Sequence, residues 1–133
     1  YRDEKTTRGR SCNGPKYQGT AIKLAAEKCT VCRPGSPRMD SRKSSDLLES
    51  LPNWEIGSES EVPMLHRLYR FDDFTQALAF TNQVAALAEA EDHHPRIVME
   101  WGSVQVSWWT HVVRGLHYND FILAARCEDE FRR

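Results

Sequence analysis

The stretch from Asp73 to about Glu91, closed at once by His93-His94-Pro95, constrains what this chain can fold into more than any other. Asp73 and Gln76 stand three apart as a capping box, and Phe74, Ala77, Leu78, Thr81, Val84, Ala85 and Ala88 recur at helical spacing. They predict a long helix with a broad apolar face. Pro95 disfavours helical geometry at the residue before it, so the helix stops at the two histidines. Beyond them, Ile97 to Trp101 and Ser103 to Thr110 read as two strands joined near Gly102. In the second, Val104, Val106 and Trp108 alternate with Gln105, Ser107 and Trp109, which predicts a hairpin with one apolar side.

The same pattern is expected upstream. Ser41 can cap a short helix carrying Leu47, Leu48 and Leu51, stopped by Pro52, and a strand is expected around Trp54 to Ile56. After a polar turn over Gly57 to Pro63, Met64 to Phe71 reads as a second strand, with Leu65, Arg67, Tyr69 and Phe71 on one side and His66, Leu68 and Arg70 on the other. Asn119 or Asp120 can cap a last helix in which Phe121, Ile122, Ala124 and Ala125 pack inward. The order helix, strand, strand, helix, strand, strand, helix predicts an α+β fold, a four-stranded antiparallel sheet with helices packed on one face.

Residues 41–133 are expected to form this domain, and residues 1–40 an N-terminal extension that is largely flexible. Residues 1–19 are rich in Arg, Lys, Gly and Thr with almost nothing apolar to bury, so ordering them costs chain entropy without return. Thr20 to Lys28 has short helical character and leads into Cys29-x-x-Cys32. That pair supplies two of the four ligands a structural zinc needs, and no βαβ thioredoxin pattern surrounds it, so a structural or incidental role is favoured.

Composition excludes several classes of function. A chain of 133 residues holds one core, and 18 Lys and Arg against 19 Asp and Glu leave no positive excess to release counterions from a nucleic acid. No window approaches the roughly 18 consecutive apolar residues of a membrane span. The four cysteines lie unevenly, which favours a reducing compartment. A cytoplasmic location is expected, or an organellar one if a transit peptide has been removed.

Of the five histidines, His93, His94 and His111 fall where elements end, positions at which side chains converge without being consumed by packing. Glu89 lies four residues before His93, one helical turn away, and a carboxylate there favours a protonated imidazole. Asp120 can orient one of these rings, since a neutral imidazole donates from one nitrogen and accepts at the other. Blander readings stand beside these: a polar turn at His93-His94, a helix cap at Asp120, a solvated Glu89, and His66 and His117 on the surface or in a loop. A zinc site from His93, His94 and His111 lacks an H-x-x-x-H pair or a cysteine at ligand spacing, so metal ranks below acid-base chemistry.

The run Glu89-x-x-x-His93-His94-Pro95, then Trp101, His111 and Asp120, resembles the signature of the pterin-4a-carbinolamine dehydratases. Trp54, Arg70-Phe71-x-x-Phe74, Ala79-Phe80, Thr110-His111, Gly115-Leu116 and Asn119-Asp120-Phe121 extend the resemblance over about Ser45 to Glu128. It implies dehydration of 4a-hydroxytetrahydrobiopterin to quinonoid dihydropterin in the recycling of that cofactor, with no metal and no organic cofactor of the enzyme's own. It further implies His93, His94 and His111 as catalytic residues and Glu89, Pro95, Thr110 and Asp120 as substrate-binding ones. The resemblance does not divide acid from base among the histidines; the Glu89 carboxylate one turn away favours His93 as the acid. Imidazole suits the task, because it titrates near pH 6.5 when unperturbed.

The resemblance also implies a homodimer or homotetramer associating through sheet edges and helices, which an uncovered edge strand permits. Relatives of the family act as dimerisation partners of a homeodomain transcription factor or resemble plastid enzyme assembly factors. A non-catalytic binding module with a protein partner is therefore the alternative, and the intact histidine set favours an enzyme. A metal-dependent hydrolase built on the same histidines is the third reading.

Overall fold

Alternate residues of the strands decide which way the sheet faces. In the computed structural model, which describes residues 21–30, 33 and 35–133, Val104, Val106 and Trp108 are wholly buried beneath helices, while Ser103, Gln105 and Ser107 point to the other side. The elements are α1 (Ala21–Ala26), α2 (Ser41–Leu48), β1 (Glu55–Glu59), β2 (Val62–Arg70), α3 (Phe74–Glu91), β3 (Arg96–Glu100), β4 (Ser103–Trp108) and α4 (Tyr118–Arg132), with a 3-10 turn at His111–Val113. The strands form one antiparallel sheet in the order β1-β2-β4-β3. The expected α+β architecture is therefore the observed one. The leader expected over residues 1–19, and Cys12 and Cys32, lie outside the described residues.

The first hairpin is tighter than the polar stretch Gly57 to Pro63 suggests. Pairing continues from Glu55↔His66 to Glu59↔Val62, so only Ser60 and Glu61 form the turn, with φ of 51° and 65°. Two left-handed residues in a two-residue loop match the right-handed twist of the flanking strands.

Helix α3 begins after Asp73 as expected, the Asp73 carboxylate accepting from the Gln76 amide at 2.8 Å, but the expected capping box does not close, because the Gln76 side-chain oxygen accepts from the Asp72 amide at 3.4 Å and not from that of Asp73. Its buried stripe is Ala77, Phe80, Val84 and Ala88, whereas Phe74 and Leu78 are 50% and 43% exposed. The apolar surface extends over more than one stripe, and contact with α4, β3 and β4 selects the one centred on Phe80. Phe80 joins Phe71, Tyr69 and Phe131 in an aromatic cluster, with Tyr69 4.5 Å from Phe80 and 4.8 Å from Phe131 between ring centroids.

Helix α4 is buried without a break from Tyr118 to Ala125, more than packing on one sheet face produces. The described part of the segment before Ser41 covers its other side. Leu24 is fully buried, Arg126 donates to the Ala25 and Glu27 carbonyls, and the Thr30 backbone donates to Asn119 Oδ1 at 2.8 Å and accepts from Asn119 Nδ2 at 2.7 Å. Further along, Glu128 is a buried carboxylate met by Trp54, Arg67 and Tyr69. Among the described residues no helix is long and apolar enough to cross a membrane.

Candidate active site

Three short chain reversals bring the predicted residues to one end of the sheet. The first is the end of α3, where Asp92 adopts left-handed geometry (φ 50°, ψ 43°), the His93 amide donates to the Ala88 carbonyl at 3.1 Å and the Asp92 amide to the Glu89 carbonyl at 3.4 Å. This six-to-one closure turns the chain away from the helix axis. His93 is thereby removed from the position one turn beyond Glu89. The expected Glu89–His93 pair does not form: His94 returns to Glu89, Nε2 to Oε1 at 2.7 Å, and His93 turns inward to Asp120, Nε2 to Oδ1 at 2.7 Å.

The second reversal follows β4. Thr110 and Gly115 pair across a loop, the Thr110 amide donating to the Gly115 carbonyl at 2.8 Å, and the 3-10 turn between them presents an exposed His111. The third starts α4. His117 is its N-cap, with Nδ1 accepting from the Asn119 amide at 3.1 Å, so neither Asn119 nor Asp120 is the cap. Asp120 sits at the third helical position and completes a capping box by accepting from the His117 amide at 2.9 Å. His117 is 3% exposed rather than on the surface.

Asp120 joins these three pieces. Its side chain is wholly buried; Oδ1 faces His93, and Oδ2 accepts from the Thr110 hydroxyl at 2.8 Å and from the His117 amide. A buried carboxylate is tolerated when its lone pairs are answered in this way. An ionised carboxylate only accepts, so His93 Nε2 carries the proton and donates, which leaves Nδ1 as the acceptor of the neutral ring. Trp108 lies behind His93 as a parallel ring, with centroids 5.8 Å apart and planes 10° apart.

The three histidines are thus held differently. His93 has a buried carboxylate, His94 a carboxylate that is 64% exposed, and His111 the indole of Trp109, with centroids 4.5 Å apart. Thr110 is buried with its hydroxyl given to Asp120, and Pro95 links His94 to β3. Sequence reasoning missed His117 and Trp108. The spacing His117-x-x-Asp120 is a capping-box signal, obscured because histidine is not a usual cap residue. Among the described residues, no group of three or more His, Cys, Asp or Glu could hold a metal ion.

The family model of pterin 4 alpha carbinolamine dehydratase matches residues 37–130. A protein of Chlorobium luteolum, named "Putative pterin-4-alpha-carbinolamine dehydratase", is 48% identical over 109 residues, covering 82% of this chain and 96% of that relative. A protein of the same name from Saccharophagus degradans is 49% identical over 105 residues, covering 79% and 93%. Among solved structures, a transcriptional coactivator/pterin dehydratase from Brucella melitensis superposes with a TM-score of 0.65 at 26% identity, covering 71% of this chain and 98% of that one. A pterin dehydratase-like protein described as a RuBisCO assembly factor in the alpha-carboxysome shares the fold, with a TM-score of 0.50 at 24% identity over 59% of this chain and 88% of that one.

Proposed function

This chain belongs to the pterin 4 alpha carbinolamine dehydratase family, and we propose that it removes water from 4a-hydroxytetrahydrobiopterin by histidine acid-base catalysis, in the recycling of that cofactor. The observation that carries the reading is the Asp120 carboxylate, which ties His93 to the loop bearing His111. Dehydration breaks the C4a–O bond and forms a C4a=N5 double bond. A proton must reach the departing hydroxyl, so that it leaves as water, and the N5 proton must be taken up.

In this reading the imidazolium of His93 supplies the first proton from Nδ1. Asp120 accepts from Nε2 in both protonation states, so the ring can give and regain a proton without losing its anchor. His94 and His111 take the N5 proton and contact the pterin. Thr110 and Asp120, both buried, act by orienting His93 and the His111 loop, while Glu89 orients His94 and Pro95 fixes its direction. The step draws on imidazole and carboxylate groups alone.

The test is stopped-flow absorbance of 4a-hydroxytetrahydropterin decay with wild type and with His93→Ala, His94→Ala and His111→Ala. Acceleration that the His93 variant abolishes supports the assignment; a wild-type rate equal to the spontaneous one overturns it. A protein-binding role is the second reading, favoured by the coactivator description of the Brucella relative. Association of copies into a homodimer or homotetramer fits the two sheet edges, β1 and β3.

A further inference from the structure

We propose that Glu59, Arg96 and Trp109 form a bracket across the open face of the sheet that positions the His111 ring; the inference rests on the catalytic reading of His111 and concerns how that ring is aimed. His93 and His94 each have a carboxylate within 2.7 Å. Among the described residues no hydrogen bond reaches the His111 ring, which is exposed on a 3-10 turn and meets Trp109 at 4.5 Å with the planes 30° apart. An imidazole on an exposed turn samples several rotamers unless something restrains it. The indole is that restraint.

What holds Trp109 is visible from strand register. Arg96 pairs with Ser107, so Trp109, two residues on, projects to the same side of the sheet as Arg96. Among the described residues no helix covers that side. The Arg96 guanidinium lies 5.7 Å from the Trp109 ring centroid, a cation-aromatic contact, and the same group bonds Glu59 Oε2 at 2.6 Å and approaches the Met64 sulfur at 3.8 Å. Glu59 ends β1, immediately before the left-handed Ser60-Glu61 turn, so the hairpin tip fixes where the carboxylate stands. Arg96 is also two residues from His94, with Pro95 between. The bracket therefore fastens one histidine segment to the other across the sheet.

Trp109, Arg96 and Glu59 are positioning residues in this account. The decisive readout is the imidazole proton resonances of His111 in the full chain, which a neighbouring indole shifts upfield. Trp109→Leu should remove that shift and lower kcat about 10-fold, the scale of a misaimed group, with KM changed less than kcat; Trp109→Phe should restore most of both. Arg96→Met and Glu59→Gln, two exposed changes that leave the core intact, should move the His111 resonances part of the way and reduce kcat less. Unchanged His111 resonances in Trp109→Leu would overturn the bracket, and unchanged resonances in both Arg96→Met and Glu59→Gln would overturn its outer half. If the wild type fails to dehydrate the pterin while these variants still move the His111 resonances, the catalytic reading fails and the bracket stands.

Discussion

His93 and Asp120, 27 residues apart in sequence, meet at 2.7 Å in a position where the carboxylate has no access to solvent. Removing that carboxylate affects both folding and the proposed chemistry. Asp120→Ala leaves the Thr110 hydroxyl, the His117 amide and His93 Nε2 without their acceptor, and one or two of these donors remaining buried costs about 3 kcal/mol. The thermal midpoint should fall by about 10 °C. Asp120→Asn keeps the shape and loses the charge; kcat for dehydration should fall about 100-fold, the scale of one acid-base contribution. Wild-type kcat in the folded Asn variant would remove Asp120 from the proposed mechanism.

Glu89 and His94 make a bond of the same length in a different medium. The carboxylate is 64% exposed, where ion pairs are screened by water and contribute about 0–1 kcal/mol. Glu89→Gln should therefore leave the urea midpoint nearly unchanged and reduce kcat by about 3-fold or less, well short of the Asp120→Asn effect. Equal losses in the two variants would show that burial of the carboxylate is not what matters.

Glu128 offers a structural control on the same helix. Trp54, Arg67 and Tyr69 all donate to it, and Arg67 also stacks 4.2 Å from the Tyr69 ring centroid. Glu128→Ala leaves the Arg67 charge half-buried and unanswered, which should cost about 3–5 kcal/mol. Tyr69→Phe should cost about 1 kcal/mol. Both are read from urea unfolding, and the His93 imidazole resonances should stay in place in Tyr69→Phe.

Alkaline stability is expected to depend on Cys127. Burial pushes its thiol up to about 12, whereas an unfolded thiol ionises at about 8.5. The folded state thus keeps a proton that the unfolded chain releases, and stability present below about pH 8.5 is lost as pH rises toward 12. Tyr69, raised by burial in the same direction, adds to the loss from about pH 10 upward. Unfolding free energies between pH 9 and 11 should fall less steeply for Cys127→Ala, by up to about 1.4 kcal/mol per pH unit. Identical slopes for the two proteins would rule out the thiol as the source.

Much of this arrangement is legible in the chain. Asp73 and Gln76 mark where α3 starts, Pro95 marks where a helix cannot continue, and alternation from Val104 to Trp108 marks a strand with one apolar face. These signals are local, arising from capping, ring closure and a two-residue period, so neighbours in sequence suffice to state them. The histidines at element ends are legible for the same reason.

The partners of those histidines are not local. Helical spacing alone pairs Glu89 with His93, but the left-handed Asp92 rotates the chain before the pair can form, and a left-handed residue that is not glycine leaves little trace in sequence. Only packing of α4 against the sheet brings a buried Asp120 to His93, selects Phe80 over Phe74 and Leu78 for the core, and draws His117 inside. Sequence by itself determined the elements, their order and the residue types available for chemistry. The tertiary structure decided which carboxylate serves which imidazole, because that choice depends on burial and on contacts between residues tens of positions apart, and no periodicity encodes either.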